Sequence, residues 1–518
     1  MGDTTTEKQL LVIDTETTGK NPHTAKLLGY SYCGSSWVAH YTTSVPNFIP
    51  NDLNVVCHNG KYDKIVFDKI APFDVYWDTM VAEYILNIDK RRKLEEVVKR
   101  RFKYNKKDLI EVYNESTGKD RKTLPDEWWK EVPQERLAEY ASEDALYTYK
   151  IYEQQQFDFE NHPHLKEWFL DVEMPLVNIL AKIELLGVKI NKLRLLKVKL
   201  QIEDRIKLLV SKLTAIAETP DLNLNSSKQL QEVLYVKFKL PKLKKNKTGF
   251  STDTKTLEKL RKNHIFPNLL LEYRGLEKLN STYVQPLLER ADSKDYIHTT
   301  YNQCLTVTRR LSSESPDLQN IPSRSLYGKE IKACFIPSAG NKFFCADYSQ
   351  IELRILAHFS EDPYLLQLYK DKRDLHDETA KLLNIKRHYA KIFNFSLIYG
   401  KTSYSLSKDL ECSIQEAQEK IDTFYSKLPK VKDWILAQQK TVIVSNGWTK
   451  SLAGLPLYIE NSRSKDKWEY EQAMRCAVNY PIQASSQDIL KKAIVNISET
   501  RGLIPCLTVH DEVVYDLK

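Results

Sequence analysis

FFCADYSQIELRILAHF, residues 343–359, runs apolar through Ala346, meets Asp347, and continues at once as an amphipathic pattern. The reading is a buried strand that ends on a carboxylate and turns into a helix. A charge at the end of a buried strand is costly unless a cation meets it. Aspartate is also a favoured helix cap, so Asp347 taken alone supports either a cap or a cation ligand.

Working outward, the same oddity recurs twice. LLVIDTET (10–17) ends an apolar strand on Asp14 and Glu16, which the period-two alternation of a strand turns to one face. IPCLTVHDEVVYDL (504–517) reads as two short strands joined at HDE, with Asp511 and Glu512 at a hairpin tip. Downstream of the first site, HNGKYD supplies Asn59 and Asp63, and YASED supplies Tyr140 and Asp144, each pair at one-face helical spacing. Asp14, Glu16, Asp63 and Asp144 with one phenol make a two-metal site for phosphodiester hydrolysis.

A second cluster stands in RHYAKIFNFSLIYG (387–400), where Arg387, Lys391, Phe395 and Tyr399 recur every four residues. Each step of four advances about 40° around a helix, so the four share one face. Two cations followed by two rings suit a nucleotide, and equally suit a helix whose rings join a core while its cations reach for water. KLPKLKKNKTGFST (239–252) crowds Lys242, Lys244, Lys245 and Lys247, which reads as a solvated loop or a grip on a phosphate backbone.

The whole chain bounds these readings. Its 518 residues exceed one hydrophobic core, and 42% hydrophobic with 28% charged residues is a globular composition. Seventy-seven Lys and Arg against 69 Asp and Glu leave a net charge of +8, compatible with a polyanionic partner. Eight scattered cysteines form no C-x-x-C pair, which points to a reducing compartment and away from zinc ribbons and disulfide frameworks. No long apolar run indicates a membrane span or a secretory signal. The first 150 residues alternate short apolar runs with helical patterns, an α/β signature, and from about residue 172 long Lys/Leu-rich helices take over. FDFENHPHLKEWF (157–169) reads as the linker between them.

The three acidic motifs DTET, NGKYD and YASED resemble those of DnaQ-like 3′–5′ proofreading exonucleases. DYSQIELR, RHYAKIFNFSLIYG and TVHDEVV stand in the order and separation of three motifs of the bacterial DNA polymerase I family, family A. EMPLVNILAKIELLGVKI, NLNSSKQLQEVL, LEYRGLEKLNSTYV, RRLSSESPDLQNIPSR, DLHDETA and RCAVNYPIQASSQDILKKA extend the likeness over residues 172–518. The resemblance implies a ribonuclease H-like α/β exonuclease domain and an α+β polymerase domain of palm, fingers and thumb in a right-hand architecture. Expected boundaries are 1–155 for the exonuclease, 156–171 for the linker and 172–298 for the thumb and start of the polymerase. The palm then takes 299–370, the fingers 371–474, and the palm again 475–518.

By that resemblance Asp14, Glu16, Asp63 and Asp144 would serve the exonuclease metals, and Tyr140 would orient the attacking water. Asp347, Tyr348 and Asp511 would hold the polymerase metals, with Glu512 auxiliary. Two Mg²⁺ ions are implied at each site, with Mn²⁺ as a substitute. Arg387, Lys391 and His376 would grip the triphosphate, Lys391 also donating a proton to pyrophosphate. Phe395 would pack on the sugar, and Tyr399 and Gln350 would line the nucleotide site. Glu352 would block a ribose 2′-hydroxyl, making DNA the product. Arg310, Arg475, Asn479, Gln483 and His510 would contact primer terminus and minor groove, and the Lys242 to Lys247 run falls at the thumb tip.

The implied partners are primer-template DNA and deoxynucleoside triphosphates, with no membrane, acting as a monomer in a bacterial or phage-infected cytoplasm or an organellar matrix. Arg309, Ser396 and Ala484 depart from the family's usual glycines, and SLAGLPLYIE lacks the arginines that usually follow its glycine. No 5′ nuclease domain is expected, and the palm is expected to be cut short after Glu512. A single-subunit RNA polymerase is a rival reading. So is a polymerase-inactive DNA-binding or exonuclease protein.

Overall fold

The computed structural model describes residues 9–50, 52–246, 249–322 and 325–518. They divide into two compact units. The first runs to Leu185 and adds Tyr301–Ser312 and Cys345–Tyr515; the second comprises Leu186–Thr300, Ser313–Phe344 and Asp516–Lys518.

The first unit begins with a five-stranded sheet built from β1 (Gln9–Thr17), β2 (Leu27–Cys33), β3 (Ala39–Thr42), β4 (Leu53–Cys57) and β5 (Val75–Asp78). Its order is β3-β2-β1-β4-β5, antiparallel on the β2 side and parallel toward β5. In that register Asp14 faces Ser31 and Glu16 faces Gly29. A Cβ at position 29 would lie 2.2 Å from the Tyr41 hydroxyl, so only glycine admits that ring beside Glu16. α1 (Gly60–Phe67) connects β4 to β5, and α2 (Thr79–Leu86), α3 (Leu94–Phe102), α4 (Leu109–Thr117) and α5 (Gln134–Glu160) follow β5.

Asp78 fixes where two of these helices start. Its buried carboxylate caps α2 through the amides of Met80 and Val81 and accepts the amides of Asn59 and Gly60 at the head of α1. Amides that would otherwise be orphaned at both helix ends are thereby satisfied, and Asp63 is carried to its place.

The segment expected as a linker is largely helical, and it buries Phe159, Leu165 and Phe169. α5 runs through Glu160, and Pro163–Trp168 and Phe169–Glu173 continue as short helical turns. Phe159 and Phe169 pack edge-on to the fully buried Trp77, at centroid distances of 5.5 and 4.5 Å. Trp77 donates to Gln155 at 3.1 Å, so its one polar atom is satisfied inside the core. Aromatic burial at Phe159 and Phe169 outweighs the turn signals of Asn161 and Pro163, so helix resumes through this segment.

The same core takes in Cys304, Leu455, Leu457 and Ala484. Beneath it lies a buried charge network. Glu173 accepts from Arg309 at 2.9 Å and from Lys491 at 3.0 and 3.1 Å, and Arg309 also reaches Asp488 at 3.2 Å. Burial opposes ionisation of Glu173, yet Lys491 and Arg309 hold its carboxyl down to about 2. Arg309, singled out for standing in place of a glycine, therefore works as an internal cation.

A three-stranded sheet has the order Lys342–Asp347, Glu512–Leu517, Leu507–Val509. Its outer strand does end on Asp347, but the expected burial is absent. Cys345, Ala346 and Asp347 are exposed and Phe344 is 58% exposed, because the strand lies at the sheet's edge. Asp347 does not cap the next helix, Ile351–Ser360, either; Gln350 holds the cap position. Leu507–Val509 and Glu512–Leu517 form the expected hairpin, with Val509 opposite Glu512 and His510 at φ 56° in the turn. A 35-residue helix, Lys467–Arg501, carries Pro481 inside it. Arg387–Ile398 packs Phe393 and Leu397 into a neighbouring core.

The second unit is mainly helical, with the long helix Lys192–Ala217 and Ile265–Leu279 as its main elements. Within the lysine-rich stretch, Lys245–Asn246 pairs antiparallel with Gly249–Phe250. Alternation there is too short to show in sequence.

Candidate active sites

The end of β1 and one turn of α5 bring Asp14, Glu16 and Asp144 together, each offering an oxygen within 4.8 Å of the others. Glu16 and Asp144 are buried. Burial first, then Asp144 and the other acids, push the carboxyls of Asp14 and Glu16 well above the usual carboxylate range. Burial likewise raises Asp144 to about 6, although Lys106 pulls against it. Three hard oxygens under mutual repulsion fit a divalent cation such as Mg²⁺, which takes one or two carboxylates and completes its shell with water and phosphate.

Asp63 stands beside the trio rather than within it. Its Oδ1 accepts from the Thr15 amide at 3.1 Å and the Thr15 hydroxyl at 2.6 Å, and burial raises its carboxyl to about 7. It therefore holds the strand between Asp14 and Glu16. The Tyr140 phenol hydrogen-bonds Asp144, and burial together with the nearby carboxylates pushes it well above 10. Lys106, which the sequence did not single out, is paired with Asp144 and lies 4.0 Å from the centroid of the Tyr140 ring. In KYNKKD it is one lysine among many, so no local signal marked it.

The second group gathers at the edge strand and hairpin. Although Asp347 is exposed, partial desolvation of its carboxyl first, then Asp511 and Glu512, raise it, and Lys391 acts in the opposite sense. Strand end, hairpin tip and the Arg387–Ile398 helix thus converge electrostatically. Along that helix Arg387 and Lys391 are exposed, while Phe395 is half-buried and stacks toward Tyr399 at 6.2 Å and 20°.

Arg387 is already engaged, donating to Asp377 at 2.7 Å and to Asp374 at 2.8 Å. Gln350 donates to Asp374 at 2.8 Å. His376 is buried, 2.9 Å from Asn394, and burial lowers its imidazole. Glu352 is buried and receives both the Tyr399 hydroxyl, at 2.6 Å, and the Arg310 guanidinium. Tyr348 is 40% exposed just beyond Asp347.

Arg475, Asn479 and Gln483 follow at intervals of four on the Lys467–Arg501 helix, and Gln487, which the sequence reading passed over, continues that face. Gln487 accepts the Leu311 amide and donates to the His510 carbonyl, both at 3.4 Å. His510 itself is exposed. In the second unit, Lys244 pairs with Asp253 at 2.7 Å, Lys242 lies 5.0 Å over the Phe250 ring, and Lys245 is exposed. Lys247 lies outside the described residues.

Among the described residues no helix is long and apolar enough to cross a membrane, and all eight cysteines are free. Residues 192–518 match the family model described as DNA polymerase family A, and residues 5–156 match one described as 3′-5′ exonuclease. DNA polymerase I of Synechocystis sp. is 35% identical over 89% of this chain and 49% of its own length. DNA polymerase I of Bacillus subtilis is 34% identical over 97% of this chain and 58% of its own. The chain thus spans about half the length of these curated relatives. A solved structure, the POL domain of Pol1 from M. smegmatis in complex with DNA primer-template and dNTP, superposes with a TM-score of 0.85. It is 25% identical, and the match covers 98% of this chain and 89% of that one.

Proposed function

Because the chain belongs to DNA polymerase family A, we propose that it copies a DNA template by adding deoxynucleoside monophosphates to a primer 3′-hydroxyl and trims primer ends by 3′–5′ hydrolysis. The observation that carries this reading is the presence of two separate carboxylate groups: Asp14 and Glu16 on β1 with Asp144 on α5, and Asp347 at a strand end with Asp511 and Glu512 at the hairpin. Primer-template DNA and deoxynucleoside triphosphates are the proposed partners, and a monomer in a cytoplasm or organellar matrix is the proposed state.

Divalent metal, Mg²⁺ or Mn²⁺, would supply charge neutralisation on phosphate and lower the proton affinity of the attacking oxygen. Asp14, Glu16 and Asp144 would hold it at the trimming site, with Asp63 bracing β1 and Tyr140 orienting water. Asp347, Asp511 and Tyr348 would hold it at the copying site, with Glu512 alongside. Arg387 and Lys391 bind the triphosphate, which requires Arg387 to exchange Asp374 and Asp377 for phosphate oxygens. Phe395 faces the sugar, and Glu352 excludes a 2′-hydroxyl. The primer end and minor groove are contacted by Arg310, Arg475, Asn479, Gln483 and His510, and the backbone by Lys242, Lys244 and Lys245.

Primer extension with Mg²⁺ and four deoxynucleotides, beside a lane without nucleotides, tests the reading. Extension in the first lane and shortening in the second support it. Shortening in both lanes leaves the hydrolytic half standing and removes the copying half.

A further inference from the structure

The acidic trio already contains a cation of its own. The Lys106 side chain is fully buried, its ammonium paired with Asp144 and stacked on the Tyr140 ring. It comes from the irregular segment 103–108 between α3 and α4, so its position is set by a loop. The attraction reaches beyond Asp144: Lys106 acts on Asp14 and Glu16 as well, opposing the rise of each. Lys106 also borders a cavity of about 590 Å³ whose lining mixes the acids Glu95, Glu96, Asp108 and Glu111 with three further lysines. A lysine with a flexible four-carbon stem therefore has open, mixed-charge surroundings within reach of the enclosed trio.

We propose that Lys106 is a built-in stand-in for the metal, neutralising the trio in the ion-free protein and giving way when a divalent ion enters. The inference rests on the reading of Asp14, Glu16 and Asp144 as metal ligands. Its physical basis is competition. Three clustered acids, two of them buried, would destabilise the fold without a counter-ion, and an ammonium supplies that counter-ion only as long as no better cation is present. An ion that must displace the ammonium binds more weakly than it would to the bare trio.

The test titrates Mn²⁺ calorimetrically into the full chain, with Asp347→Ala and Asp511→Ala silencing the other carboxylate group. Lys106→Met should bind Mn²⁺ at the trio about tenfold more tightly than the parent, the scale typical of groups around a metal site. Lys106→Arg, which keeps the charge, should stay near the parent value. In chelator Lys106→Met should unfold several degrees lower, about the shift expected for a buried group left unpaired, and saturating Mn²⁺ should close that gap. Lys106→Gln carries the same comparison if the methionine variant does not fold. Equal or weaker Mn²⁺ binding by the neutral variants, with binding still abolished by Asp14→Ala, overturns the stand-in role while leaving the metal site intact. No Mn²⁺ uptake at the trio by any version overturns the metal-site reading itself.

Discussion

The two carboxylate groups in the first unit solve the same electrostatic problem in opposite ways. Asp14, Glu16 and Asp144 are enclosed, with Glu16 and Asp144 buried and an internal ammonium among them. Asp347 is exposed on an edge strand, and Lys391, whose charge acts on it, is exposed too. Water screens the second group more than the first, which would weaken the fold without a neighbouring cation. The contrast teaches that an enclosed acid cluster must carry its counter-charge with it, and an open one can wait for its ligand to arrive.

The largest expected effect separates the two groups outright. Asp347→Ala should lower nucleotide incorporation by about a thousandfold or more while leaving single-strand shortening intact, and Asp14→Ala should do the reverse. Loss of both activities in either variant, with the fold retained, would merge the two groups into one system. Next in size is Arg309→Met, which leaves Glu173 and Asp488 with Lys491 as their remaining cation and should cost about 3–5 kcal/mol in denaturant unfolding. Both activities should then decline together on heating, since the core beneath is shared.

A subtler change probes the open group alone. Phe395 presents a phenyl, so the enzyme should discriminate against dideoxynucleotides, and Phe395→Tyr should bring the incorporation ratio toward parity. An unchanged ratio removes Phe395 from the sugar. The smallest effect belongs to the enclosed side. His58 accepts or donates between Thr79 and the Arg92 carbonyl, and burial holds its imidazole down to about 4. The unfolded chain takes up that proton near pH 6.5 and the folded protein only near 4, so stability is full above 6.5 and falls as pH drops toward 4. His58→Gln should flatten that part of the melting-temperature profile, and a slope left unchanged assigns the loss to other groups.

Much of this was legible because it depends on short-range pattern. Alternation put Asp14 and Glu16 on one face, and the spacing of Tyr140 and Asp144 fits the α5 they occupy. The hairpin at His510 followed from two short β runs. What stayed hidden depends on partners far apart in the chain. Lys106 meets Asp144 across a loop and a helix, and Arg309 meets Glu173 and Asp488 from opposite directions. The exposure of Asp347 was missed for a related reason: apolar residues before it spell a strand, but only sheet order tells whether that strand is central or at an edge.

The buried meeting of Glu173, Arg309, Asp488 and Lys491 bears on how the chain can be taken apart. Glu173 closes the stretch that joins the N-terminal sheet to the rest, yet its two ionic partners come from 136 and 318 residues downstream. A protease that nicked the backbone just after Glu173 would free no fragment, because Glu173 on one side of the cut would stay clamped to Arg309 and Lys491 on the other by charges that water cannot reach. Gene dissection at the same place would leave each half with an uncompensated ion at its exposed face, and two insoluble pieces in place of two folded ones.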